Sequence, residues 1–170
     1  EQQYNPINKR ICAIDLNPNY IAVVVRDKEN IIHKEIIGLH KLNKCKNTNK
    51  KKHEDHEIVK RLANTAKHFR CEYFAYEALT IQSNDKGKGR RFNKLCNNDW
   101  RRKRIAEGIT KWCNIIGIKT QEVLPEYSSF IGQIRNEDEY DSVAAAIELS
   151  RRAWLFVSYY KQQDVQEVKG

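Results

Sequence analysis

Methionine is missing altogether from the 170 residues. Glu1 is therefore not the expected natural start, and the chain is expected to be a piece of something longer. Also missing are an apolar run long enough to span a bilayer and a signal-peptide pattern, so no membrane partner is expected and the expected location is cytoplasmic. The five cysteines, Cys12, Cys45, Cys71, Cys96 and Cys113, form no C-x-x-C pair, which removes support for a zinc ribbon or a redox motif. Reduced thiols in a cytosolic protein are the simplest expectation. No internal repeat and no second domain stand out. Acid is scarce relative to base, with 22 Asp and Glu against 31 Lys and Arg and a formal net charge of +9. That imbalance makes a polyanion the first partner to consider. The length suits one domain with a true core.

What is present starts with Arg10-Ile-Cys-Ala-Ile-Asp-Leu16, an apolar run holding one acid, Asp15. An ionised carboxylate in such a run is costly unless a cation or hydrogen bonds hold it. A turn capped by that Asp is the plain alternative. After Asn17-Pro18-Asn19 comes a second run, Tyr20 to about Asp27, and after Lys28-Glu29-Asn30 a third, Ile31–Ile37. Short polar turns between such runs predict an antiparallel meander. Residues 1–9 read as a lead-in, and the Lys- and Asn-rich residues 41–52 read as a loop. His53-Glu54-Asp55-His56 opens a helix, with acids facing its positive end. Ile58, Val59, Leu62, Ala63, Ala66 and Phe69 then follow at helical spacing. His53 and His56 lack further ligands, so H-x-x-H carries little weight as a metal site.

Cys71–Glu77 is a fourth, aromatic-rich strand that ends on an acid. Reached through a helix, it would lie parallel to a meander strand. If that strand is the first, Asp15 and Glu77 meet at one sheet edge. Residues 79–94 read as a basic loop containing Lys86, Lys88, Arg90 and Arg91. A helix over about 95–116 has Ile105, Ile109, Trp112, Cys113 and Ile116 inside and Arg101, Arg102, Lys103 and Arg104 outside, with Gly117 as terminator. Ile118–Leu124 is a fifth strand. The acidic cluster Glu137-Asp-Glu-Tyr-Asp141 leads into an alanine-rich helix that continues through Trp154 towards Tyr160, followed by a polar tail over 161–170.

This order, with acids after strands one and four and at the start of the last helix, is that of a ribonuclease H-like fold: α/β, a mixed five-stranded sheet flanked by helices. Four segments resemble the RuvC-like nuclease domain: Ala13-Ile-Asp-Leu-Asn-Pro-Asn-Tyr20, Tyr76-Glu-Ala-Leu79, Leu124-Pro-Glu-Tyr-Ser-Ser-Phe130 and Asp141-Ser-Val-Ala-Ala-Ala-Ile-Glu-Leu-Ser-Arg-Arg152. They are nearest to the TnpB (OrfB) proteins of insertion sequences and to type V CRISPR effectors. The basic helix from Phe92 to Ile118 resembles that family too, and the likeness covers residues 10–155 within a domain expected over 10–160.

The resemblance implies Asp15, Glu77 and Asp141 as the three catalytic acids, with Asp138 in reserve as a metal ligand one turn earlier. Such acids hold two Mg²⁺ or Mn²⁺ ions about 3.5–4 Å apart, which activate water and stabilise the leaving oxygen of a phosphodiester. It further implies cleavage of DNA, with guide RNA a partner of the longer protein. Lys86, Lys88, Arg90, Arg91, Arg101, Arg102 and Arg104 become candidates for phosphate contacts, against a solvated helix face as the plain reading of the 101–104 cluster. The family's four-cysteine ribbon is absent, since only ten residues separate Phe130 from Asp141 and none is Cys. A junction resolvase working as a dimer is the alternative enzyme, and a non-cutting nucleic-acid-binding domain the alternative class. Oligomeric state stays open.

Overall fold

The computed structural model describes residues 3–17, 19–39, 47–77, 89–123 and 141–169, with the side chains of 89–101, 141–142 and 159–169 left out of the description. Five strands form one sheet: β1 (Ile7–Leu16), β2 (Tyr20–Asp27), β3 (Asn30–Gly38), β4 (Cys71–Glu77) and β5 (Lys119–Val123). Its order is β3-β2-β1-β4-β5. The meander pairs antiparallel, whereas β1–β4 and β4–β5 are parallel. Helix α1 (Thr48–His68) provides the crossover that parallel pairing of β4 with β1 requires, α2 (Gly89–Ile116) joins β4 to β5, and α3 (Asp141–Lys169) ends the chain.

Helices cover both faces, which explains the unbroken apolar runs. Val23, Val24 and Val25 are all fully buried because alternate residues meet different layers. On one face Cys12, Ile14, Val23 and Phe74 pack with Val59 and Leu62 of α1 and Ile105, Ile109 and Cys113 of α2. On the other face lies α3. Its Val143, Ala146 and Ile147 sit with Ala22 and Val24 of β2, and its Leu149 and Ala153 with Ile11, Ala13 and Ala75 of β1 and β4. Helix α3 therefore crosses the sheet from β2 towards β4, and the alanines on both partners let the backbones come close. Gly117 ends α2 at φ 105°, a left-handed conformation that suits glycine, with its N–H donating to the Cys113 carbonyl at 2.8 Å.

Several boundaries differ from expectation. β1 starts at Ile7, whose N–H donates to Arg70 O at 2.8 Å, and Tyr4 Oη donates to Cys71 O at 2.6 Å, so part of the expected lead-in is tied to the sheet. Helix α1 begins at Thr48, inside the expected loop. Its N-cap is Asn47, whose side chain accepts from the N–H groups of Asn49 and Lys50. Its first turn contains no acid. Asp55 is instead buried and lies 3.5 Å from the Arg104 guanidinium. Helix α2 starts at Gly89 rather than near 95, and α3 runs to Lys169 through the expected tail. Cys12, Cys71 and Cys113 are buried free thiols, and burial pushes Cys71 and Cys113 up to about 12. Among the described residues no helix is long and apolar enough to cross a membrane.

Candidate metal centre

Side-chain alternation decides which face receives each acid. Ile11 and Ala13 of β1, and Tyr73 and Ala75 of β4, belong to the α3 side. Asp15 and Glu77 follow them at the same parity, so both acids lie on that side. The register Ile14↔Tyr76 is followed on each strand by one of the acids. Two carboxylates from distant parts of the chain thus stand side by side at the carboxyl ends of two parallel, central strands. In α/β sheets that edge is where ligands bind.

Both acids are partly buried. Burial, and then repulsion from Glu77, pushes Asp15 up to about 6, while Arg102 opposes the rise. Glu77 is also raised, by burial, with Arg102 and Arg152 pulling it back. The pair is under-compensated: the fold brings two anions into a place where neither is comfortable ionised. Its donors are carboxylate oxygens, the type that Mg²⁺ and Mn²⁺ take, and a divalent cation there would relieve both desolvation and repulsion. The residues fit such an ion.

Among the described residues no group of three or more His, Cys, Asp or Glu is placed to hold a metal ion. Asp141 opens α3. Val143 of that first turn shares a buried cluster with Ala22, and Ala22 is the β2 register partner of Asp15. The backbone therefore brings residue 141 to the neighbourhood of the first acid, although its side chain is outside the description. Asp138, Lys86 and Lys88 lie outside the described residues. Arg90, Arg91 and Arg101 lie on α2, and their side chains are likewise outside the description.

Arg102 and Arg104 separate. Arg104 is half-exposed and partners Asp55, so its charge serves the contact between α1 and α2. Arg102 is not on the outer face. It is partly buried, its Nε is buried without a hydrogen-bond partner, and its charge acts on both Asp15 and Glu77. The helical repeat carries the signal: residue 102 precedes Ile105 and Ile109 by three and seven positions, on the core stripe of α2. Arg152, whose charge acts on Glu77 and which pairs with Glu148, lies outside the expected site residues. A Glu inside Ala-Ala-Ala-Ile-Glu-Leu with Arg three and four residues later was the available cue. Trp112, expected inside, is partly buried and packed against the core, as is Trp154.

No protein-family model matches the sequence, and no curated protein does. Solved structures do match in fold. RuvC from Thermus thermophilus, in complex with a Holliday junction substrate, aligns with a TM-score of 0.57 at 12% identity, over 88% of this chain and 95% of that one. The yeast mitochondrial Holliday junction resolvase Ydc2 gives 0.57 at 10% identity, over 98% and 86%. A CRISPR-Cas12f ternary complex gives 0.57 at 14% identity, over 88% of this chain but 40% of the Cas12f chain. The chain has the ribonuclease H-like fold of the RuvC nucleases.

Proposed function

We propose that this chain is a metal-dependent endonuclease that cuts phosphodiester bonds of nucleic acid, DNA first, using Asp15, Glu77 and Asp141, with Asp138 as the reserve ligand. The observation that carries the reading is the placement of Asp15 and Glu77 side by side, both raised, at the edge of the central parallel strands. Two bound divalent ions would supply an activated water and neutralise charge at the leaving oxygen. The chain's own part is to hold carboxylate oxygens at fixed spacing. Asp15 does so from a strand buried on both sides, and Glu77 from its parallel neighbour. Arg102 keeps enough positive charge at the edge for both acids to ionise near neutral pH, and it adds attraction for a phosphate backbone. The mobile-element, TnpB-like setting and a guide RNA partner belong to this reading through the sequence resemblance.

A second reading, a junction resolvase, is favoured by one observation: the fold is similar to that of RuvC in complex with a Holliday junction substrate and of the Holliday junction resolvase Ydc2.

The deciding experiment offers labelled single-stranded, duplex and four-way-junction DNA in Mg²⁺ or Mn²⁺ to the wild type and to Asp15→Ala. Metal-dependent cutting lost in the variant is the expected result. Preference for the junction, with a dimer in solution, would select the resolvase. Tight binding without cutting in any metal would refute the nuclease and leave a binding domain.

A further inference from the structure

At the end of the sheet opposite the acid pair lies a cleft of about 560 Å³. Tyr4, on its wall, donates from Oη to the Cys71 carbonyl at 2.6 Å, and Cys71 begins β4. Glu77 ends the same strand, roughly 20 Å away by strand rise. Three parts of the chain meet in the cleft: Tyr4 and Asn5 ahead of β1, Lys67 and Arg70 around the end of α1, and Trp112 and Ile115 near the end of α2.

The chemistry of this cleft is one-sided. Among the described residues no Asp or Glu lines it, whereas two cations do. Neither Lys67 nor Arg70 has an acidic partner among the described residues. Arg70 is anchored through Nε, which donates to the Asn5 carbonyl at 2.9 Å and leaves both terminal nitrogens for a ligand. Lys67 lies in the last turn of α1, where a cation is favourable on its own account. That does not explain Arg70, which lies past the helix, or the apolar wall, which comes from α2. Ile115 on that wall is 76% exposed, more than any other large apolar residue described. Trp112 beside it is held against the His56 ring, with centroids 5.9 Å apart. The ligand that suits such a wall brings a flat apolar face and a negative charge in one small unit, and the volume suits a group of nucleotide size.

A neighbouring cleft shares Asn64 with this one and has Lys60 on its wall. Lys60, Asn64 and Lys67 are all exposed and follow one another at helical spacing, so they make one stripe along α1. A chain of phosphates leaving the cleft along α1 would meet a further cation there.

We propose that this cleft binds one unpaired nucleotide of a single strand. The base lies against Trp112 and Ile115, its phosphate lies between Lys67 and Arg70, and the strand continues towards Lys60. Every base has an apolar face to stack, and a closed duplex keeps those faces inside, so the cleft prefers unpaired strands without reading their sequence. The site is separate from the acid pair and does not rest on the nuclease reading. At about 3.4 Å per nucleotide, roughly six nucleotides span the distance between the two, so a longer nucleic acid can occupy both.

The test reads binding of a short labelled thymidine strand, and of a hairpin duplex of similar length, in EDTA across a salt series. Thermal melts show that each variant is folded. Trp112→Leu keeps apolar bulk without the ring. It should weaken binding of the single strand about fivefold or more and change the duplex by less than about twofold. Trp112→Phe should restore most of that loss, which simple repacking would not do. Lys67→Gln combined with Arg70→Gln should lower the single-strand slope of log K against log salt by about 0.7 or more, whereas Trp112→Leu should leave the slope unchanged. Wild-type binding of the single strand by folded Trp112→Leu, or an equal loss for strand and duplex, would overturn the proposal. If Trp112→Leu does not fold, an unchanged slope in the double cation variant, whose two positions are exposed, overturns it alone. Variants that bind the strand like wild type but lose an acidic, aromatic peptide would give the cleft to a protein partner instead. Because binding is read without metal, a protein that holds the strand through this cleft and never cuts defeats the nuclease reading and not this one.

Discussion

Replacing Asp15 by Asn should make the metal-free protein more stable while abolishing cleavage. Burial and Glu77 raise Asp15 from its ordinary 3.8 to about 6. The folded chain then binds that proton more tightly than the unfolded chain, so stability falls as pH rises through the window between about 4 and 6. At about 1.4 kcal/mol per unit the wild type loses roughly 3 kcal/mol at pH 7. Asn keeps the shape without the charge, and should recover about 2–3 kcal/mol, or roughly 5–10 °C in Tm for a chain of this size. Urea and thermal unfolding in EDTA at pH 4.5, 6 and 7.5 would show the gap opening with pH and narrowing to about 1 kcal/mol at the acid end. Mg²⁺ or Mn²⁺ at a hundred times its Kd should close the gap, adding about 2.7 kcal/mol to the form that binds it, and at a thousand times its Kd, about 4.1 kcal/mol, should reverse the ranking. An Asn variant no more stable than wild type at pH 7.5, or a gap of the same size at every pH, would refute this electrostatic account of the site.

Arg102→Gln removes a cation that lowers both acids. The pH at which the metal-free protein loses stability should move upward, and Mn²⁺ titration should show tighter binding by roughly fivefold, about 1 kcal/mol of repulsion removed, with slower cutting. Gly108→Ala tests the contact between α1 and α2: a Cβ there would meet Val59 Cγ2 at 3.0 Å and Cγ1 at 3.2 Å. Overcrowding a stiff, buried valine should outweigh the helix preference of alanine and destabilise by about 1 kcal/mol. In a Val59→Ala background the same change should become neutral or stabilising, as urea unfolding of the four proteins would show.

The sheet was readable where chemistry changed sharply along the chain. β2 and β4 begin and end where expected because apolar or aromatic runs stop against polar turns. Helix starts were less readable. The first turn of α1 is Lys- and Asn-rich and exposed, with nothing that would give it a period, so the capping Asn47 was the local mark of α1. Asp15 and Glu77 were legible because an acid closing a buried strand is conspicuous. Arg102 was misread because a run of four basic residues looks like one exposed face, although a helix turns about 100° at each step. Glu148 and its arginines were hidden for another reason. Pairs at i+3 and i+4 usually mark exposed helix surface, whereas Glu148 is 1% exposed in the folded chain.

The parallel pairing of β1 with β4 also bears on how the chain assembles. The meander closes short loops and holds Asp15 at its tip, where water can still solvate the carboxylate. β4 reaches β1 only through the longer loop that contains α1, a slower closure. Desolvation and the repulsion between Asp15 and Glu77 therefore begin at that later step. A chain still being synthesised, or one cut before Cys71, keeps the first acid and lacks the second. The cutting edge proposed for this protein thus comes into being with its longest-range strand pairing, and a half-made chain has none.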